Sequence, residues 1–477
     1  MKLIILSIIF IHCYSSKIIF DEDLKFPDSF IVTGTLYIPA ASLSVPFVNY
    51  FSKELGKSRI DLYNGKDKYL YTNEKIYNIV KSGNDAKNCF VYDNNSDKLM
   101  TFIPYYERAQ FKYNGYKNTA KYNFVNVFRY NYTQGSRTSF NKFFVSRIMS
   151  AKDDYHPQLW EIDGITTIFR RHFDQYIIEY QTLIETSINS NIFDKLEQDC
   201  VPHKPETVSS WKTKNLQTYK YIQNINVNKY LNGRYHQNVI DDFKRLVSFD
   251  WREHGIITPV DDQAFCGSCW SFSSVGVAEF SYMLNYGKHI RLSKQQLLDC
   301  TWKYGNNGCH GGQELNVCMY ITEFGLVSQH EYGSYISVTD KCGYKVNDPL
   351  MNPVIKMSSC GPVDSDIEAI KQALLIYGPI SVSINSDCPG FLTYQGGIFE
   401  GKNCLTDLKS LVHIVILIGY GINENTNKNY WIIKNSWSQK WGNAGYGKVS
   451  MVHDAGISVA PIDIQKNTCS EKPMSQY

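Results

Sequence analysis

Two cysteines stand three residues apart in the segment QAFCGSCWSF, which runs from Gln263 to Phe272. A zinc site needs two such pairs, or one pair with spaced histidines, and Cys266 and Cys269 have no second pair at the usual distance. A redox pair of the thioredoxin type normally follows a strand of a βαβ unit, and no such unit is predicted here. One structural cysteine beside one reactive cysteine explains the segment better.

The residues after Cys269 predict a helix that begins at this cysteine. In the stretch WSFSSVGVAEFSYML, apolar residues recur at roughly helical spacing. The unpaired amides and the dipole at a helix N-terminus favour an anion, and they lower the pKa of a thiol placed there. Cys269 is therefore a candidate thiolate nucleophile.

A thiolate nucleophile needs a nearby base, and the base needs a group that orients it. The run VHIVILIGYG (412–421) predicts a buried strand with His413 near its start, and NYWIIKNSW (429–437) predicts a second strand that ends near Asn435. If the two strands pair as a hairpin, their spacing places His413 and Asn435 opposite one another to within a residue or two.

Two further side chains have the right chemistry to serve this group. Gln263 precedes Cys269 in a turn-like stretch. Its side-chain amide, together with the backbone N–H of Cys269, can stabilise the oxyanion of a tetrahedral acyl intermediate. Trp437 is expected to shield the hydrogen bond between His413 and Asn435 from water.

These segments together are very similar to papain-like cysteine proteases of the cathepsin L type. The similarity covers about residues 245 to 465, and it rests on QAFCGSCWSF, GNNGCHGG (305–312), His413 and NYWIIKNSWSQKWGNAGYG (429–447). It implies that Cys269 is the nucleophile, His413 the general acid and base, Asn435 its orienting group and Gln263 the oxyanion donor. It also implies a two-lobed domain, with Cys269 on an α-helical lobe and both His413 and Asn435 on a β-barrel-like lobe.

The resemblance also implies a substrate-binding surface and two disulfides. The disulfides are Cys266–Cys309 and Cys300–Cys342. Ala460 carries no charge that could bind a basic side chain of the substrate. We therefore expect the pocket to prefer an apolar or aromatic side chain two residues before the scissile bond. The charge of Glu314 is expected to weaken this preference. The substrate-binding residues carried over from the family are Gly311, Gly312, Gln313, Glu314, Ser383, Ile414, Trp437 and Ala460.

The sequence departs from the family pattern in its remaining cysteines. Relatives pair a cysteine near Cys404 with one at the position of Ala455, so Cys404 is left to pair with Cys388 or Cys469. The assigned pairs and Cys269 leave an odd number of cysteines, and we expect at least one to be free or intermolecular. That set contains Cys318, Cys360, Cys388, Cys404 and Cys469.

The front half has a different texture, rich in Tyr, Phe, Asn and Lys. Stretches such as GTLYIP (34–39) and SRIDLYNG (58–65) alternate with the period of half-buried antiparallel strands. Its only two thiols, Cys89 and Cys200, are expected to pair. Residues 34–65 resemble the non-catalytic N-terminal region of the insect proteinases called 26/29 kDa. Two glycosylation sequons in this half begin at Asn94 and Asn131.

Composition and length set the remaining expectations. The chain has 477 residues, a formal net charge of +3 and thirteen cysteines, so an oxidising compartment is favoured and a nucleic-acid partner is not. We expect an α+β protein in which the catalytic domain follows a β-rich antiparallel domain. Its parts are a signal peptide (1–15), the β-rich domain (16–200), a linker or reduced propeptide (201–245), the protease domain (246–465) and a tail (466–477).

The predicted function is a secreted or lysosomal cysteine endopeptidase, made as a precursor, that needs no metal and no organic cofactor. Its partners are protein or peptide substrates, no membrane is involved, and the N-terminal domain can remain on the catalytic domain. One alternative is a dipeptidyl exopeptidase in which the N-terminal domain blocks the cleft. The other is a non-catalytic binding protein, which would normally have lost Cys269 or His413.

Overall fold

The computed structural model describes most of residues 24–465. The undescribed residues include the predicted signal peptide, linker and tail, so those three predictions lie outside the described part of the chain. Within the described span, the residues left out are 25, 82–86, 97, 107, 120, 122, 135–136, 148–154, 165–173, 199, 201–246, 358 and 460.

Among its described residues, the first half of the chain forms one antiparallel sheet of eleven strands. Its order is β6-β5-β4-β3-β2-β1-β11-β10-β9-β8-β7, so the first and last strands in sequence pair at the middle of the sheet. The strands are β1 (Ser29–Ile38), β2 (Leu43–Ser52), β3 (Lys57–Leu62), β4 (Asp67–Thr72), β5 (Lys75–Lys81), β6 (Lys87–Asp93), β7 (Lys112–Thr119), β8 (Asn123–Gln134), β9 (Arg137–Arg147), β10 (Tyr155–Gly164) and β11 (Asp174–Glu185).

Strict alternation of buried and half-buried residues explains why β1 is a strand. Phe30, Val32 and Leu36 point into the core, and the intervening side chains lie on the other face. Helix α1 (Asn191–Gln198) buries Phe193 and Leu196 in a smaller cluster with residues of the sheet, including Leu70. Cys200, just after this helix, is disulfide-bonded to Cys89 on β6.

The second half combines five helices with an eight-stranded sheet, as far as the described residues show, and this gives the α+β class. The sheet order is β13-β19-β14-β16-β17-β18-β15, and β12 pairs with β16. The helices are α2 (Cys269–Tyr286), α3 (Lys294–Cys300), α4 (Glu314–Glu323), α5 (Gln329–Tyr332) and α6 (Ile367–Tyr377). The strands are β12 (Phe249–Asp250), β13 (Ser359–Pro362), β14 (Ile380–Ile384), β15 (Ile398–Phe399), β16 (His413–Asn423), β17 (Lys428–Lys434), β18 (Tyr446–Ser450) and β19 (Ile462–Gln465).

Helix α2 is the element that joins the helical part to the sheet. It is buried almost all round, because every residue from Cys269 through Tyr282 is buried, as expected of a central helix. It packs against β16 at Gly276, where a Cβ atom would lie 2.4 Å from Cδ1 of Ile416. The helix that begins at Cys269 therefore approaches the strand that begins at His413 more closely than any larger residue would allow.

The N-terminal sheet lies directly against the second half of the chain. Ala264, Phe265 and Val338 belong to the same buried hydrophobic cluster as the core of the sheet. Polar contacts surround this apolar area, among them the ion pairs Lys66–Asp340 and Lys440–Asp163. In the part of the chain that the structure describes, no helix is both long and apolar enough to cross a membrane.

Candidate active site

Cys269 is the first residue of helix α2 and is 9% exposed. The ten other described cysteines form five disulfides, whereas Cys269 keeps its thiol. As the first helical residue, it has an amide with no acceptor one turn earlier in the helix. The Cys266–Cys309 disulfide and the hydrogen bond from Gly267 N to Cys309 O (2.9 Å) hold the loop before it.

His413 opens strand β16, and Asn435 directly follows strand β17. His413 Nε2 lies 2.9 Å from Asn435 Oδ1, and both side chains are buried. The same oxygen accepts a hydrogen bond from Ser436 N (2.8 Å), which identifies it as the acceptor side of the amide. Nε2 is therefore the protonated donor in the neutral ring, and Nδ1 is left to accept a proton.

The hairpin register explains how Trp437 comes to cover the histidine. Ile416 pairs with Lys434, after a bulge between Leu417 and Gly419. Continuing that register by three residues puts Trp437 opposite His413, and the two rings stack with centroids 4.4 Å apart. Because the indole lies over the imidazole, water is kept from one face of the histidine.

Gln263 is tied to the hairpin through Ser436. Its Oε1 accepts from Ser436 Oγ (2.7 Å), its backbone N donates to Ser436 O (2.9 Å), and its Nε2 donates to Cys266 O (2.9 Å). An amide nitrogen carries two hydrogens, so one remains for another acceptor. Tyr335 adds a hydrogen bond from its hydroxyl to Gln263 O (2.7 Å). Nothing in the sequence indicates that Tyr335 belongs to the site. For Ser436, the only indication is its position beside Asn435.

The residues predicted to bind substrate occupy two places. Gly311, Gly312 and Gln313 lead into α4, where Gln313 is exposed. Ser383 on β14 pairs with Ile414 on β16, so these two lie opposite each other.

Glu314, the first residue of α4, is buried, and its Oε1 accepts from Ser381 Oγ (2.9 Å). Burial raises the pKa of this carboxyl. We expected the charge of Glu314 to weaken the apolar character of the pocket. In the structure, this carboxyl is instead hydrogen-bonded to Ser381 within the protein. Ala460 lies outside the described residues.

The disulfides resolve part of the cysteine question. The structure joins Cys89 to Cys200, Cys266 to Cys309 and Cys300 to Cys342. Of the alternatives for Cys404, it has the pair with Cys388, and it pairs Cys318 with Cys360, which the sequence left open. Cys469 lies outside the described residues.

The two sequon asparagines differ in their surroundings. Asn94 Nδ2 donates a hydrogen bond to Thr72 O (2.6 Å), so the nitrogen that a glycan would occupy is engaged. Asn131 is exposed on β8, and its Oδ1 accepts from Arg129 Nε (2.9 Å). Among the described residues, no three His, Cys, Asp or Glu side chains come together as metal ligands would.

Comparison with known proteins matches residues 247–466 to the papain family of cysteine proteases. The chain is 38% identical over 229 residues to a cathepsin L-like peptidase of Aedes aegypti, a match that covers 47% of this chain and 62% of that protein. It is 39% identical over 217 residues to procathepsin L of Mus musculus, covering 45% of this chain and 63% of the relative. The chain thus spans a little under two thirds of the length of these relatives.

Among solved structures, the digestive procathepsin L 3 of Tenebrio molitor larval midgut is 33% identical, with a TM-score of 0.42. That match covers 46% of this chain and 69% of the other. The resemblance of residues 34–65 to the insect 26/29 kDa proteinases stays a prediction.

Proposed function

Residues 247–466 belong to the papain family of cysteine proteases, and on that premise we propose that the protein is a cysteine endopeptidase. The observation that carries the proposal is the hydrogen bond between His413 Nε2 and Asn435 Oδ1 under the ring of Trp437. It leaves Nδ1 of the histidine to exchange a proton with the thiol of Cys269. A papain-like fold kept only for binding would have no need of this tautomer.

The reaction begins with attack of the Cys269 thiolate on the carbonyl carbon of the scissile bond. A C–S bond forms, and the carbonyl electron pair moves to the oxygen, where the amide of Gln263 and the N–H of Cys269 stabilise the oxyanion. The C–N bond then breaks, and the His413 imidazolium donates its proton to the leaving amine.

The second half of the reaction returns the enzyme to its starting state. Neutral His413 takes a proton from water, and the resulting hydroxide adds to the thioester carbon. The C–S bond breaks, which releases the carboxylic acid and restores the thiolate beside the imidazolium. The Asn435 oxygen accepts from Nε2 throughout and keeps the ring in place.

Substrate preference is proposed from Ser383 and Ile414, which face each other across β14 and β16. Burial raises the pKa of Glu314 against the lowering effect of the hydrogen bond from Ser381, which favours an uncharged pocket wall at acidic pH. We therefore expect peptides with Leu or Phe two residues before the scissile bond to be cleaved at least about tenfold more efficiently than peptides with Arg there. Equal kcat/KM values for the two series would count against this pocket.

We place the enzyme in a secreted or lysosomal setting, made as a precursor. The five disulfides within the described part of the chain support an oxidising compartment. Detection of the protein only in the cytosol, with reduced cysteines, would contradict this placement.

A dipeptidyl exopeptidase is the second candidate, and one contact favours it. Phe90 of the N-terminal sheet stacks on His310 with ring centroids 3.6 Å apart, and Tyr92 Oη lies 2.7 Å from His310 Nδ1. His310 precedes Gly311 and Gly312, which are proposed to bind substrate, so the N-terminal domain borders that surface. Cleavage of an N-terminally blocked oligopeptide at internal bonds supports the endopeptidase, whereas stepwise release of dipeptides from a free N-terminus supports the exopeptidase.

The test of the proposed function is the Cys269→Ala variant. It removes the nucleophile, so we expect hydrolysis of peptide substrates to fall by at least about 10⁴-fold while secretion and folding remain intact. Circular dichroism and the amount of secreted protein serve as the controls. Substantial activity in the Cys269→Ala protein would refute the proposal.

A further inference from the structure

The loop that carries Gln263, residues 261–265, is packed between the catalytic region and the N-terminal sheet. On one side, Gln263 bonds to Ser436. On the other side, Ala264 and Phe265 are buried in the hydrophobic core of the N-terminal sheet, with Trp160 and Tyr176 in the same cluster. We refer to residues 261–265 as the oxyanion loop. Its surroundings are thus supplied by both halves of the protein.

Two aspartates meet across this boundary. Asp174 is the first residue of β11, and Asp262 is the second residue of the oxyanion loop; they are 0% and 3% exposed. Their side chains are hydrogen-bonded to each other. A carboxylate has no hydrogen to donate, so this bond exists only while the two groups hold at least one proton between them.

Backbone amides fix both carboxyl groups. Gln175 N donates to Asp174 Oδ1 (2.7 Å), and Ala264 N donates to Asp262 Oδ1 (2.8 Å). One oxygen of each group is therefore engaged within its own segment, and the other oxygen of each group, Oδ2, is buried. Asp262 also forms an antiparallel bridge with Trp437, so the pair is one residue from Gln263 and in contact with the histidine-bearing hairpin.

The surroundings of Asp174 and Asp262 favour retention of a proton by these two carboxyl groups. Burial raises the pKa of Asp262, and the neighbouring negative charge of Asp261 raises it further, against the lowering effect of the bonds from Asp174 and Ala264. Burial alone would raise the pKa of Asp261, but Lys294 and Arg291 outweigh it and bring the pKa to about 2, so Asp261 stays ionised. On the N-terminal side, the next charged group along the ladder, Asp163, is paired with Lys440 (2.8 Å).

We propose that Asp174 is a positioning residue for catalysis: through its proton-sharing bond with Asp262, the N-terminal domain holds the oxyanion loop in place, and it does so most strongly at acidic pH. The inference rests on the proposed function, in which Gln263 stabilises the oxyanion. It makes the N-terminal domain part of the working enzyme.

The pH dependence follows from proton linkage. Contact between the two domains raises the pKa of the shared proton, so docking takes up a proton. Docking is fully stabilised below the ordinary pKa of an aspartate and weakens as the pH rises towards the pKa of the docked pair, by up to about tenfold per pH unit. Above that range the two carboxylates repel each other, and the oxyanion loop loses its hydrogen bond to Asp174 of the N-terminal sheet.

The experiment compares the full-length mature protein with its Asp174→Asn variant. An asparagine amide can donate to ionised Asp262 and its oxygen can accept from protonated Asp262, so the bond no longer needs a shared proton. We expect the fall of kcat on the alkaline side to move upward by about one pH unit, with KM changed less than about twofold. The matched control is Asp163→Asn, which removes the half-exposed ion pair with Lys440 and should leave the pH profile of kcat unchanged.

Asp262→Asn is the reciprocal variant. Because the shared bond is symmetric, it should produce the same upward shift, and it serves if Asp174→Asn is not secreted. A pH profile of both variants that superimposes on that of the wild type would overturn the inference, as would an equal loss of kcat at every pH.

Failure of the proposed function is detected separately. The wild-type protein is treated with an epoxysuccinyl thiol probe before the profiles are measured. A wild type that hydrolyses peptides and is labelled at Cys269, but whose variants show no pH shift, refutes the positioning role alone. A wild type that neither hydrolyses peptides nor takes up the probe refutes the proposed function and this inference together.

Discussion

The amide oxygen of Asn435 decides the protonation pattern of the candidate site. It accepts from both Ser436 N and His413 Nε2, so the imidazole cannot rotate to present the same nitrogen to the thiol without losing a buried hydrogen bond. A buried donor left without a partner costs about 1–3 kcal/mol. The neutral amide thus orients His413 and leaves the charge of an imidazolium available for the thiolate.

Replacing Asn435 with alanine tests this assignment. We expect kcat/KM to fall by about 10²-fold or more, because His413 loses its orienting bond while the thiol is untouched. A smaller KM change than kcat change is expected, since Asn435 bonds to His413 and is not one of the residues proposed to bind substrate. Ser383→Ala, on the pocket side, is the comparison variant and should act mainly on KM. Equal kcat in wild type and Asn435→Ala would contradict the orienting role.

Much of the site could be predicted at the level of residues because its groups stand in short segments with local meaning. Cys269 begins a helix whose apolar spacing is visible in the sequence, and two apolar runs separated by a polar loop predict the hairpin. The bulge between Leu417 and Gly419 could not be predicted. Because a bulge adds one residue to one strand, it decides that Trp437, rather than Ser438, continues the register opposite His413.

At the scale of elements, the site depends on how closely α2 approaches β16. The helix carries Cys269 at its first residue, and the strand carries His413 at its first residue. Gly276 and Ile416 meet where the two elements pack, about two helical turns from the thiol. Any shift of the helix away from the strand is therefore transmitted to the distance between Cys269, the proposed nucleophile, and His413, its proposed base.

The Gly276→Ala variant tests this packing. Its new methyl group would overlap Cδ1 of Ile416, and overpacking of a core contact costs about 1–3 kcal/mol of unfolding free energy. We expect a lower Tm and a reduced kcat. The double variant with Ile416→Val, which removes the overlapping carbon, should recover part of both losses. The unfolding free energy of the double variant is compared with the value expected if the losses of the two single variants simply add. If it is no higher than that value, contact between Gly276 and Ile416 does not limit how closely α2 approaches β16.

At the scale of the whole molecule, a few residues of the second half are buried in the hydrophobic cluster of the N-terminal sheet. The sequence predicted a β-rich front half from alternating residues, and strand periodicity is a local property. It offered no means of predicting that Phe265 would be buried in that half, because docking depends on surfaces brought together by the complete fold. The retained N-terminal domain predicted from sequence stays a proposal, which the shared cluster supports.

Stability should depend on pH in both halves. Burial raises the pKa of Asp67 in the sheet and of Asp299 in α3 to about 7. A raised pKa stabilises the folded state below the ordinary pKa near 4, and the stabilisation is lost as the pH rises to about 7. The loss amounts to roughly 4 kcal/mol per carboxyl and levels off above that pH. Urea unfolding from about pH 4 to about pH 8 should therefore show a falling midpoint.

The Asp299→Asn variant isolates one of these groups. Its side-chain oxygen can still accept from Gln295 and from Asp340 N, so the fold is retained while the titration is removed. About half of the pH-dependent loss should disappear. A midpoint that falls as steeply in the variant as in the wild type would show that Asp299 does not take part.

The most direct measurement of the central claim is covalent labelling with an epoxysuccinyl probe, followed by peptide mass spectrometry and an activity assay on the same sample. The account predicts one probe per molecule on Cys269 and loss of peptide hydrolysis in proportion to the label. Peptide hydrolysis that continues when Cys269 is fully labelled, or a Cys269 that remains unlabelled in a protein without peptidase activity, would contradict it.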